Sequence, residues 1–198
     1  MLATAGVLLS ACDTGDGTTL RPPHTIVAGT CAAEAGIFAD AEGIFALRSP
    51  DFEIDGPIPA RYGATVGTEG RWPELLWREV PEGAAELAVV LTDDATGEAH
   101  WVVGGIDPAA GCIPAGQLPE GAAAYTNSFG EQGYTPPDLA PGEPQRFYVF
   151  QLHALSEPLG DVSPGVGVTA LLDTLDAQTI ETTLLVGTSP DPEAESDS

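Results

Sequence analysis

From Ile44 to Val186 short apolar runs alternate with turn residues, and no 20-to-50-residue repeat interrupts the pattern, so the segment reads as one folded unit. The clearest runs are Glu86 to Leu91, His100 to Ile106 and Arg146 to Leu155, each bounded by Gly, Pro, Asp or Glu clusters that favour turns. They predict strands, and their spacing predicts antiparallel sheets. In the third, Tyr148, Phe150, Leu152 and Ala154 fall on one wholly apolar face, with Phe147, Val149, Gln151 and His153 on a mixed one. Leu171, Leu172 and Leu175 at helical spacing predict a short helix that packs on the sheets. Ile180, Thr182, Leu184 and Val186 then return to a two-residue period. Ser189 to Ser198 carries Asp191, Glu193, Glu195 and Asp197 with two prolines and nothing bulky to bury, which predicts a disordered acidic tail.

Composition agrees with a β-rich globule. Among 198 residues, 24 glycines and 18 prolines favour many short elements over a helical bundle. All six basic residues are arginines, against 30 acidic ones, and the net charge is −24. With no basic patch to neutralise a run of phosphates, DNA and RNA are excluded as partners. The acidic surface keeps the protein soluble through self-repulsion and would suit a saline setting, and a GC-rich genome would deplete lysine in the same way.

Residues 1–11 are uncharged and run through Leu2, Val7, Leu8 and Leu9, too short a stretch to span a bilayer, and read as a signal peptide. Leu9, Ser10, Ala11 and Cys12 resemble the bacterial lipoprotein cleavage box, which implies a lipid on Cys12 and an address in the bacterial cell envelope, periplasmic or at the cell surface. The polar stretch Asp13 to Thr19 opens a flexible stalk. Residues 12–43 are thus assigned to anchor and stalk, 44–189 to the domain and 190–198 to the tail. With Cys12 lipidated, Cys31 and Cys112 remain, and an oxidising compartment would join them. Two separate buried thiols are the alternative. Neither has a partner at metal-ligand spacing.

Ser49, Pro50, Phe52, Gly56, Ile58, Pro59, Arg61 and Tyr62 resemble the opening of the phosphatidylethanolamine-binding protein family, in particular its bacterial Raf-kinase-inhibitor-like branch. The likeness continues through Pro73, Leu76, Trp77 and Val80 to Gly83, then Leu87 to Asp94 and the His-Trp pair at His100 and Trp101. It goes on through Leu118 to Gly121, Asn127, Phe129, Gly130, Gly133, Tyr134, Pro136 and Pro137, the strand Tyr148 to Leu155, and Leu185 to Thr188. The resemblance implies a mainly β fold, an antiparallel β-sandwich with short peripheral helices and a small anion pocket at one end.

In that family the pocket is built from an Asp-Pro-Asp loop, the His-Trp histidine, a Gly-Pro-x-Pro-Pro loop and a second histidine before the late core strand. Here His100 supplies the first histidine and Asp93 the first acid. Asp94 stands either at the proline or, with a gap, as the second acid. Pro136 and Pro137 remain in a loop two residues shorter, and Arg146 occupies the position of the second histidine. The expected chemistry is an imidazole N–H and a guanidinium fork donating to an oxyanion, with a carboxylate behind the imidazole fixing its tautomer. A core role for His100, satisfied by backbone groups, is the alternative, and without the resemblance Asp93 and Asp94 read as turn acids. His153 reads as structural, Trp72, Trp77 and Trp101 as core, and His24 as part of the stalk.

The expected function is therefore a lipid-anchored, non-enzymatic binding protein for phosphate, a phospholipid head group or a similar small anion. It needs no cofactor or metal, and it meets the membrane through Cys12. The alternative is a protein-interaction or inhibitor module with an exported partner and a vestigial pocket. A hydrolase built on Asp93, Asp94 and His100 ranks last, because no Gly-x-Ser-x-Gly elbow supplies a nucleophile and two acids with one histidine make a thin metal site.

Overall fold

The computed structural model describes residue 31 and residues 36–64, 71–138, 144–160, 162–163 and 165–189. The expected signal peptide, Cys12, His24 and the acidic tail lie outside them.

Two sheets face each other across one core. The larger has six strands in the order β2-β9-β8-β4-β5-β7, comprising β2 (Gly56–Pro57), β4 (Glu86–Asp93), β5 (Ala99–Ile106), β7 (Ala123–Ala124), β8 (Phe147–Leu155) and β9 (Thr179–Thr188). The smaller is β1-β3-β6, formed by β1 (Ala46–Arg48), β3 (Leu75–Arg78) and β6 (Cys112–Ile113). Every pairing is antiparallel except β2 with β9, a two-residue parallel contact at the sheet edge. The three strongest predicted strands become β4, β5 and β8, long neighbouring members of the large sheet that pair on both edges.

The predicted inner face of β8 is the one observed. Tyr148, Phe150, Leu152 and Ala154 enter the inter-sheet core with Leu47, Leu75, Trp77, Leu91 and Trp101. Trp72 is partly buried and stacks on Trp101 at 4.8 Å. Burying side chains of this size contributes about 1.5–3 kcal/mol each, which makes this layer the main source of stability. Close approach is also demanded at Gly187, where an added Cβ would lie 2.7 Å from Ile58 and 2.8 Å from Phe52.

On the outer face of the large sheet, helix α1 (Val168–Gln178) buries Leu171 and Leu175 against Ala88, Val90, Val102 and Leu155. It covers one end of the sheet, reaching β8 only at Leu155. Over β8 and β9 the outer face is open, with Phe147, Ile180 and Leu184 respectively 46%, 45% and 52% exposed. The period-two run Ile180, Thr182, Leu184, Val186 is therefore a strand as predicted, yet its apolar side faces outward, and Leu185 is the residue that reaches the core. Among the described residues, no helix is long and apolar enough to cross a membrane.

The folded unit begins before residue 44. The Phe38 carbonyl accepts from Arg78 Nη2 at 2.7 Å, the Arg78 guanidinium lies 5.0 Å over the Phe38 ring, Asp40 pairs with Arg48 at 2.8 Å, and Ala41 is buried. Residues 36–43 are thus domain and not stalk, because two arginines on β1 and β3 reach back to hold them. Cys31 is joined to Cys112 on β6, with Cα atoms 6.3 Å apart, within the range that suits a disulfide. The link closes a loop of 81 residues in sequence separation. In the chain-entropy picture that removes about 4.5 kcal/mol of unfolded-state freedom.

Candidate functional site

The end of β4, the start of β5 and the start of β8 meet at one end of the large sheet. Asp93 is opposite Tyr148 in the β4–β8 ladder, and Leu91 is opposite Trp101 in the β4–β5 ladder. One step further along, Thr92 is opposite Ala99, so β5 carries one residue more than β4, and that residue is His100. A bulge of this kind turns two successive side chains toward the same side. His100 consequently joins Trp101 on the inner side, where its ring meets Tyr148 edge-on at 5.3 Å and Phe129 at 4.9 Å. Strict alternation would have sent it to the opposite face.

Asp93 is fully buried. Its Oδ1 accepts the Ala95 N–H at 2.8 Å, and its Oδ2 accepts Arg146 Nη1 at 3.0 Å. The Arg146 side chain keeps 33% of its surface exposed, so the guanidinium bridges a sealed carboxylate and solvent. Such a pair holds the guanidinium in a fixed orientation, since a carboxylate without it would be an uncompensated buried charge.

A second framework holds His100. Thr135 N–H donates to the His100 carbonyl at 2.9 Å, and His100 Nδ1 meets the Thr135 carbonyl at 3.0 Å. Buried Asn127 ties the loop together. Its Nδ2 donates to Thr135 Oγ1 at 2.7 Å, with longer contacts to the Gly133 and His100 carbonyls, while its Oδ1 accepts from the backbone N–H of Phe129 and Glu131. The turn sets Phe129 against the imidazole, and Gly130 takes the positive φ of 79° that closes it. From Thr135 the loop runs through Pro136 and buried Pro137 to Asp138, whose carbonyl accepts the Tyr148 hydroxyl at 3.2 Å. Pro136 and Pro137 therefore lie on the loop between the Thr135 contact to His100 and the Asp138 contact to Tyr148.

The structure thus brings Asp93, His100, Pro136, Pro137 and Arg146 to one sheet end. Asp94 does not join them. It is exposed at the turn, and its backbone N–H donates to the Phe147 carbonyl. Two expectations need correction. The carboxylate expected behind the imidazole binds Arg146 instead, and the His100 tautomer is fixed by the Thr135 carbonyl. Since the neutral ring has one N–H and Nδ1 spends it there, no imidazole N–H is left for a ligand unless the ring is protonated. Burial pushes the His100 imidazole below its ordinary value, with Thr135, Asp93 and Glu98 opposing and Arg146 assisting. Burial likewise raises the Tyr148 phenol, which also faces the Asp93 charge.

Asn127, Thr135, Phe129 and Tyr148 are site residues that sequence reasoning did not assign. The Asn-x-x-Gly turn was the available signal for the first. His153 sits on the outer face of β8, with Nδ1 3.2 Å from the hydroxyls of Thr179 and Thr182. A separate surface cavity of about 500 Å³ is lined by Arg48, Asp51 and Phe52 among others. Two of its charges are matched within the protein: Arg48 by Asp40, and Asp51 by Arg61, the Glu74 N–H and the Tyr62 hydroxyl, whose pKa burial pushes up to about 12. Among the described residues no group of His, Cys, Asp or Glu is arranged to hold a metal ion.

The described residues thus form a two-sheet β-sandwich with an outer helix, carrying a histidine, a buried aspartate and a proline loop at one sheet end. Residues 48–189 match the family model for phosphatidylethanolamine-binding protein, and the chain belongs to that family. Among curated proteins it is similar to UPF0098 protein Rv1910c of Mycobacterium tuberculosis and UPF0098 protein Mb1945c of Mycobacterium bovis. Each is 36% identical over 117 residues, covering 57% of this chain and 54% of the relative. The match therefore spans about half the length of those relatives. Among solved structures, YbcL of Escherichia coli, described as a new member of the mammalian family, superposes with a TM-score of 0.67. It is 24% identical and covers 74% of this chain and 98% of that one, a likeness of fold. The homologue CT736 of Chlamydia trachomatis gives 0.65 at 29% identity, covering 74% and 97%.

Proposed function

We propose that this protein is an exported, lipid-anchored binding protein, not an enzyme, which holds a small oxyanion between His100 and Arg146. The observation that carries the reading is the position of Arg146: a partly exposed guanidinium pinned to a sealed carboxylate, at the same sheet end as a histidine that keeps one ring nitrogen without a protein partner. Anchoring through Cys12 rests on the Leu9-Ser10-Ala11-Cys12 resemblance, and the Cys31–Cys112 disulfide suits the oxidising compartment that export supplies. Calorimetric titration with inorganic phosphate tests the site. Binding in the millimolar range or tighter, weakened at least about tenfold by His100→Ala and by Arg146→Ala, supports it. Unchanged binding in both variants, or none in the wild type, defeats it. Anchoring is tested separately by mass spectrometry of the amino-terminal peptide and by release of a Cys12→Ser variant from membranes.

One observation favours a second reading, an interaction module with an exported protein partner. The uncovered outer face at Phe147, Ile180 and Leu184 gives such a partner an apolar landing surface away from the cluster. A partner retained by a His100→Ala/Arg146→Ala double variant but lost with Leu184→Asp would establish it.

A further inference from the structure

What kind of oxyanion suits the site depends on which ring nitrogen of His100 carries hydrogen, taking the anion-site reading above as the starting point. A carbonyl oxygen only accepts, so the 3.0 Å contact between Nδ1 and the Thr135 carbonyl requires the hydrogen to be on Nδ1. In the neutral ring Nε2 is then a bare lone pair. It takes no protein partner among the described residues, and it is not one of the sealed, unpartnered polar atoms, so it meets solvent. An oxyanion without hydrogen would set lone pair against lone pair there. One that retains a single acidic hydrogen donates it to Nε2 and turns its charge toward Arg146.

We propose that the site selects oxyanions that carry one hydrogen, hydrogen phosphate first and phosphate monoesters in their monoanionic form, over sulfate and phosphodiesters. The discriminating group is the Nε2 lone pair, and the positioning group is the Thr135 carbonyl that keeps hydrogen off it. Asp93 from β4, Glu98 from the turn before β5, Arg146 and Tyr148 at the start of β8, and Glu131 and Asp138 from the 127–138 loop are the charged and titratable groups around the ring. The acids among them favour a protonated ring, but Asp93 is engaged by Arg146, and burial outweighs the rest. At about pH 8 the ring is neutral even at the ordinary histidine value.

The test is calorimetric titration of the full chain with inorganic phosphate, sulfate, methyl phosphate and dimethyl phosphate at about pH 8 and about pH 5. At the higher pH hydrogen phosphate and sulfate share charge and tetrahedral shape and differ by one hydrogen. Phosphate is expected to bind about tenfold or more tightly than sulfate, the scale of one hydrogen bond lost and an acceptor set against an acceptor. Dimethyl phosphate, standing in for a lipid phosphodiester, should follow sulfate. Methyl phosphate, largely a dianion without hydrogen at that pH, should also fall below inorganic phosphate. Once acid protonates the ring, as nitrogen NMR reports, an imidazolium Nε2–H serves any oxyanion, and the preference for phosphate over sulfate should vanish. Nitrogen NMR of the phosphate complex at the higher pH should show a neutral ring with hydrogen on Nδ1. Equal affinities for phosphate and sulfate at the higher pH, or an imidazolium in that complex, overturn the selection while leaving the anion site intact. Failure of all four ligands to bind overturns both.

Discussion

Replacing Arg146 by alanine should cost more stability than replacing Asp93, although the two form one ion pair. Without Arg146, a carboxylate with 1% side-chain exposure keeps a single N–H partner, that of Ala95. Stranding a buried charge costs about 3–5 kcal/mol when both partners are sealed. Because the Arg146 side chain is one-third exposed, its contact with Asp93 is partly screened, and about 3 kcal/mol is the better figure. Asp93→Ala instead leaves a guanidinium that can turn into water, together with a lost turn hydrogen bond, a loss of about 1.5 kcal/mol. The double variant removes both charges and should lose about 2 kcal/mol, not the sum of about 4.5, which gives a coupling of about 2.5 kcal/mol. Urea unfolding of the four proteins at neutral pH measures the cycle, and any other contact of Arg146 cancels within it. Losses that add to within about 0.5 kcal/mol would show that the bridge does not hold the guanidinium in place, and with it would fall the case for a preset ligand group.

Other predictions concern the framework. Asn127→Ala removes the donors and acceptors that join residues 127–135 to β5 and should lower stability by about 2–4 kcal/mol, with broadened His100 ring resonances in proton NMR. Gly187→Ala forces a methyl group into Ile58 and Phe52 and should cost about 1–3 kcal/mol by denaturant titration. Burial depresses both His100 and His153 below the unfolded histidine value of about 6.5, so acid protonates the unfolded chain before the native one. Their contribution is complete above that value and is lost as pH falls from it toward the lowered native values. Unfolding free energy measured between about pH 8 and about pH 5 should therefore decline on the acid side, and His153→Gln should make the decline shallower.

The strands β4 and β5 could be read from the sequence as apolar runs bounded by turn residues, and β8 because a two-residue period over nine positions leaves little freedom in which side chains go inward. The period does not say which face is which when both are mixed, and so the outward turn of Ile180 and Leu184 had to come from the structure. The six-stranded sheet is larger than α1 can cover, and Phe147, Ile180 and Leu184 on β8 and β9 stay exposed. The order of motifs around His100 and Arg146 placed the candidate residues. How they work depends on one extra residue in β5, which no periodicity registers, and on a carbonyl 35 positions away that fixes the imidazole. The Asp93–Arg146 pair spans 53 positions and was equally invisible, so the acid was matched to the wrong partner. At the start of the domain, Phe38 and Asp40 look like linker residues in sequence, yet Arg78 and Arg48 hold them.

The central claim is that an imidazole and a guanidinium 46 positions apart serve one bound anion. Two-dimensional NMR following the Arg146 side-chain N–H and the His100 ring during one phosphate titration tests it most directly. Both sets of resonances should move along a single binding curve with a common dissociation constant. If only one responds at millimolar phosphate, or the two give different midpoints, the groups do not share a ligand.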